Sequence, residues 1–176
     1  MTNHKKLYTI TNIIIAFTVF MYIIQISIPN GGLYLGLNIY FFTAGLYYQV
    51  ITTMFSHGGL EHLAMNMIVL WQVGNLLEQS IGKIRFLLLY FLGGILTSVG
   101  TLVYMYYFDD FANVVGASGA ISVLFGYIAL KVKEQRMGMV VYILLISFVP
   151  LLFGMNIAWY SHLIGFLLGI LAGFVI

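Results

Sequence analysis

Long uncharged apolar runs alternate with short polar connections along the chain. Six runs can be delimited: residues 7–28, 62–77, 86–106, 118–130, 139–153 and 157–176. A helix needs about 20 mostly apolar residues to cross a bilayer, and several runs reach that length; the fourth and fifth are shorter. The pattern predicts an all-α membrane protein, a bundle of six transmembrane helices with a short fourth helix and a long first loop. The first run follows His4, Lys5 and Lys6, as the core of a signal peptide would. It is read as a spanning helix because it is too long for a signal core and no small-residue cleavage site follows.

Composition agrees with the pattern. Of 176 residues, 62% are hydrophobic and 7% charged, which excludes an ordinary soluble domain. The absence of cysteine excludes disulfides and thiolate chemistry. Charge placement adds orientation. Lys5 and Lys6 precede the first run, Lys83 and Arg85 follow the second, and Lys131, Lys133 and Arg136 follow the fourth. With six crossings, all seven basic residues of the chain fall on one side. The positive-inside rule makes that side cytoplasmic, with both termini inside. Asp109 and Asp110 lie opposite and read as loop charges. No internal repeat or long linker divides the chain, so residues 1–176 are expected to form one domain.

The first connection breaks the helix at Pro29-Asn30-Gly31-Gly32 and then runs uncharged to Gly59, rich in aromatics such as Tyr34, Tyr40, Phe42, Tyr47 and Phe55. Aromatics favour the headgroup region, so it reads as an interfacial anchor, with substrate docking as the lesser alternative.

Polar groups inside apolar runs are the candidates for chemistry, because they are costly in a membrane and usually face the bundle interior. His62 and Asn66 are four apart and share a helix face; helix–helix hydrogen bonding explains them equally well. His57 and Glu61-His62 come near the zinc-binding pattern His-x-x-Glu-His but carry one residue too many between them, and no metal is expected. Glu78, close to Lys83 and Arg85, reads as an ion pair or a helix-end cap.

Gly116-Ala117-Ser118-Gly119 opens the fourth run. From Ser118 to Lys131 is about 20 Å of helix, against a hydrocarbon core of roughly 30 Å. With Lys131 at the inner surface, Ser118 starts about 10 Å below the outer one. The preceding connection must then dip into the membrane, which is tolerated only within protein or beside a wet cavity. Ser118 would lie at the floor of an outward-opening pocket, near the free N–H groups of a helix start that can hold an oxyanion. The simpler alternative is a small helix cap. In the last run His162, Gly165, Gly169 and Gly173 share one stripe, matched on the fourth by Gly119, Ser122 and Gly126. Two small-residue faces allow close helix approach and would bring His162 to Ser118, giving a serine with an adjacent base.

Together, His57-x4-His62-x3-Asn66, Gly74-x3-Glu78, Gly116-Ala117-Ser118-Gly119 and His162-x2-Gly165-x3-Gly169 resemble the rhomboid intramembrane serine proteases from about Tyr47 onward. The resemblance implies a catalytic dyad of Ser118 and His162, without a third acidic member. It implies an oxyanion hole from Asn66, His62 and the backbone N–H of Ser118. His57, Gly116, Gly119, Glu78, Gly165 and Gly169 would be structural or supporting. It implies transmembrane protein substrates and no cofactor, in the prokaryotic plasma (inner) membrane, with the site opening outward; nucleic acid is not expected as a partner. Two positions depart from the family. Tyr48-Gln49 stands where Trp-Arg is common, which bears on how the outer loop is anchored. Ser122 stands where an aromatic usually packs on the catalytic histidine, which predicts a more loosely held His162 and lower activity. The alternatives are a weak or inactive rhomboid-like protein that binds transmembrane clients, and a small transporter. The transporter would need corresponding broken segments or midplane ionisable residues, which are not evident.

Overall fold

The computed structural model describes residues 9–176. Leu7, at the start of the first apolar run, and the Lys5-Lys6 pair lie outside the described residues.

Each apolar run is a helix, and each helix starts or stops for a local reason. The first, α1 (Ile10–Ser27), is capped by Thr9, whose side chain accepts the Asn12 N–H. Ile28 turns extended ahead of Pro29, as the residue before a proline must. The connection that follows folds into short pieces: α2 (Gly31–Leu35), α3 (Tyr40–Thr43), α4 (Gln49–Thr52) and a 3-10 turn at Thr53–Phe55. Helix α5 (Leu60–Ile81) ends at Gly82, whose φ of 83° is open to glycine. A continuous stretch Lys83–Phe108 follows. It comprises α6 (Lys83–Leu87), a π-helical turn Leu88–Leu92 and α7 (Gly93–Phe108). The remaining helices are α8 (Ser118–Lys131), α9 (Arg136–Leu152) and α10 (Trp159–Gly173).

Among the described residues, three helical stretches are long and apolar enough to cross a membrane: Ile10–Ser27, Lys83–Phe108 and Lys133–Leu152. The last corrects the expectation of a short fifth run. Its turn Lys133–Gln135 extends the helix backwards, and Pro150 sits in the final turn. Helices α8 and α10 are the short apolar ones.

Helix α8 is the axis of the bundle. All ten residues from Ala120 to Ala129 are buried, as suits a helix apolar on every side. By contrast, α1 and α9 expose Ile13, Phe20, Ile23, Leu144, Leu145 and Phe148 outward. A surface of that kind suits lipid rather than water. The pairing of α8 with α10 rests on glycine. A side chain on Gly126 would strike the Phe166 carbonyl, one on Gly169 the Val123 carbonyl, and one on Gly165 the Gly119 carbonyl. The two small-residue stripes therefore meet backbone to backbone.

The connection from α7 to α8 is irregular, and its polar backbone is satisfied by the first loop. Leu37 and Val114 exchange both backbone hydrogen bonds at 2.8 Å. Thr53 Oγ1 donates to the Val114 carbonyl at 2.7 Å, and the Gly116 N–H donates to the Thr53 carbonyl at 3.0 Å. Unpaired backbone groups away from water are costly, and these contacts remove that cost. Gln49, at the departure from Trp-Arg, anchors the loop itself: buried, it accepts from the Asn38 N–H and donates to the carbonyls of Leu33 and Tyr34. Most loop aromatics are exposed, including Tyr34, Tyr40, Phe42 and Tyr47, but Phe55 belongs to the core.

Candidate active site

Ser118 is the first residue of α8 and does not cap it; Ala117 takes the cap position. That frees the hydroxyl, and Ser118 Oγ stands 3.0 Å from His162 Nε2. The close approach of α8 and α10 at Gly119 and Gly165 makes this distance possible. Both residues are half-buried. The backbone N–H of Ser118 is among the first of α8, which have no partner inside the helix.

Gly116 sets the entry to the serine. Its φ of 125° is a conformation that side chains rarely adopt. A Cβ there would also lie 2.8 Å from His62 Cε1, 3.0 Å from His62 Nε2 and 3.5 Å from Ser118 Oγ. The His62 ring and the serine hydroxyl thus face one notch that glycine keeps open. On its other edge, His62 Nδ1 accepts the Gly58 N–H at 3.3 Å. With Nδ1 an acceptor, the neutral ring carries its proton on Nε2, turned to the notch. Asn66 is buried one turn along α5, and its amide donates to the His62 carbonyl at 2.8 Å. One of its two N–H groups is therefore spent on its own helix.

His57 is placed as a support. It is buried, and its Nε2 accepts the Ala117 N–H at 3.4 Å, directly before the serine. Burial, reinforced by the nearby His62, pushes its pKa down to about 4, which keeps the ring neutral and able to accept. The loop carrying His57 is tied in turn to α1. Gln25 donates to the His57 carbonyl at 2.7 Å and accepts from the His57 N–H and the Ser56 hydroxyl, each at 2.8 Å.

Glu78 belongs elsewhere. It sits at the far end of α5 and accepts from the Ile10 N–H at 3.0 Å and from the Thr11 N–H and hydroxyl, each at 2.9 Å. Of the two readings of Glu78, an ion pair with Lys83 and Arg85 or a helix-end cap, the hydrogen bonds are those of a cap, placed on the start of α1 rather than on its own helix. Orphan N–H donors and the positive end of a helix dipole both favour a carboxylate there. Gly74, one turn earlier, lies against Thr11, so the Gly74-x3-Glu78 element is a seat for α1. Gly169 lies deeper on the α8–α10 seam than the serine and acts through packing.

Sequence reasoning missed two polar groups: Gln25, described above, and Ser147 on α9, whose Oγ lies 3.3 Å from His162 Nδ1. Each was a polar residue inside an apolar run, which is the available signal. Among the described residues no cluster of three or more His, Asp or Glu side chains could hold a metal ion.

The family model of the rhomboid domain matches residues 44–176. The chain belongs to the rhomboid family. Rhomboid relatives include rhomboid protease GluP of Bacillus subtilis (strain 168), 36% identical over 94 residues, covering 52% of this chain and 18% of that protein. YdcA of the same organism is 32% identical over 138 residues, 74% of this chain and 68% of the relative. RHOMBOID-like protein 4 of Arabidopsis thaliana is 31% identical over 138 residues, 73% of this chain and 34% of that one. The chain thus spans only a minor part of GluP and of the plant protein.

Proposed function

We propose that this rhomboid is an intramembrane serine endopeptidase that hydrolyses peptide bonds of transmembrane protein substrates. The 3.0 Å approach of His162 Nε2 to Ser118 Oγ carries the reading, being the geometry of an activated nucleophile. Ser118 Oγ attacks the scissile carbonyl carbon and its proton passes to His162 Nε2. The carbonyl oxygen becomes an oxyanion, held by the Ser118 N–H, His62 Nε2–H and the remaining Asn66 N–H. The C–N bond breaks as His162 returns the proton to the leaving amine. Water then attacks the acyl-serine, with His162 again as base, and releases the acid and the free serine. No cofactor takes part.

The helices of the six apolar runs (α1, α5, the continuous α6–α7, α8, α9 and α10) are read as six crossings, with both termini cytoplasmic and the site opening outward in a prokaryotic plasma membrane. The basic connections after α5 and α8 support that orientation. The short α8, starting behind an irregular connection pinned to protein, supports a wet pocket at Ser118. The test is cleavage of a permissive transmembrane substrate by the protein in liposomes. Wild type cuts it and Ser118→Ala does not. An intact substrate with wild type would favour the client-binding alternative.

A further inference from the structure

Only Nε2 of His162 takes part in the mechanism above. Its second nitrogen, Nδ1, meets Ser147 of α9 at 3.3 Å. Ser147 is fully buried, at 0% exposure, and a buried hydroxyl without a partner is costly. Among the described residues its partner is His162 Nδ1. Ile143 and Ser147, one turn apart, are the buried residues of α9. An apolar side chain would seal that seam more cheaply, so a hydroxyl at this position calls for a polar explanation.

A neutral imidazole has one donor nitrogen and one acceptor nitrogen, and the partner of one decides the state of the other. If Ser147 Oγ accepts a proton held on Nδ1, the lone pair of Nε2 faces Ser118 and can take its proton. If Ser147 donates instead, Nε2 carries the hydrogen and Ser118 has no base. We propose that Ser147 is a positioning residue that holds His162 in the Nδ1–H tautomer, filling on α9 the orienting role that Ser122 does not fill on α8. The Ser122 hydroxyl bonds elsewhere, donating to the Ser118 carbonyl at 2.7 Å, and the side chain within hydrogen-bond distance of His162 Nδ1 is that of Ser147. When Nε2 becomes protonated the ring turns cationic, and the Nδ1–H bond to Ser147 strengthens.

The assignment rests on the Ser118–His162 reading, but its test does not need activity. The protein is labelled with 15N-histidine and studied by NMR in micelles, with His162→Ala to assign the ring signals. In wild type, His162 should show a protonated Nδ1 and a bare Nε2. In Ser147→Ala the signals should move toward the Nε2–H tautomer. Labelling by a fluorophosphonate should slow by about threefold to tenfold in that variant, the weight of one hydrogen bond. A wild-type ring protonated on Nε2, or one unchanged in Ser147→Ala, overturns the proposal. A wild type that is never labelled sinks the protease reading and leaves the tautomer result to decide on Ser147.

Discussion

Gly126 of α8 and Phe166 of α10 meet with nothing between them but backbone. This contact, one helix turn below the level of Ser122, sets how closely the two helices approach and so how closely His162 approaches Ser118. Gly126→Ala puts a methyl against a carbonyl that cannot swing aside. The expected loss is about 1–3 kcal/mol, the usual cost of overpacking, read as a lower melting temperature in detergent. Gly138→Ala is the control, since a methyl there meets open space within α9, and it should leave the melting temperature unchanged or slightly higher.

At Gly116 the prediction is about chemistry more than stability. Alanine would be strained at a φ of 125° and would press on the His62 ring. Displacement of the notch by about an ångström should cut substrate cleavage by about a hundredfold. Cleavage rates of Gly116→Ala near wild type would show that the notch is not where the substrate carbonyl sits.

The Glu78 cap gives a third expectation. Glu78→Gln loses the charge and at least one acceptor for the start of α1. The variant should lose about 1–3 kcal/mol. Protease digestion should then first reveal release of α1, because Glu78 joins that helix to α5.

A fourth concerns pH. His57 is held at about 4 when folded, against roughly 6.5 in an unfolded chain. Between those values the unfolded state binds more protons, so stability rises with pH. Acidification from about pH 6.5 toward 4 should therefore lower the melting temperature, and His57→Gln should lose part of that slope. An unchanged slope would mean that His57 does not govern it.

Much of this was legible from the sequence because a membrane leaves the backbone few options. Every polar main-chain group must be paired locally, so apolar runs become helices, and the observed ends fall within a few residues of those read from the pattern. Ser118 and His162 stood out because polar side chains are rare in such runs. The partners of Glu78 did not, because sequence proximity pointed to Lys83 and Arg85 while the cap lies 67 and 68 residues away. Ser147 carried that signal too weakly to be singled out, for another reason. A serine is small enough to sit anywhere on a membrane helix, and only the packing of α9 on α10 gives it a histidine. Gln25 likewise gains meaning only once α1 lies beside the His57 loop.

The central claim is that Ser118 is a nucleophile activated by His162. Its most direct test is mass spectrometry of the purified protein after exposure to a fluorophosphonate. One adduct on Ser118, absent in Ser118→Ala and nearly absent in His162→Ala, is the predicted result. Wild-type protein that stays unmodified, or an adduct that persists in His162→Ala at the wild-type rate, would contradict it.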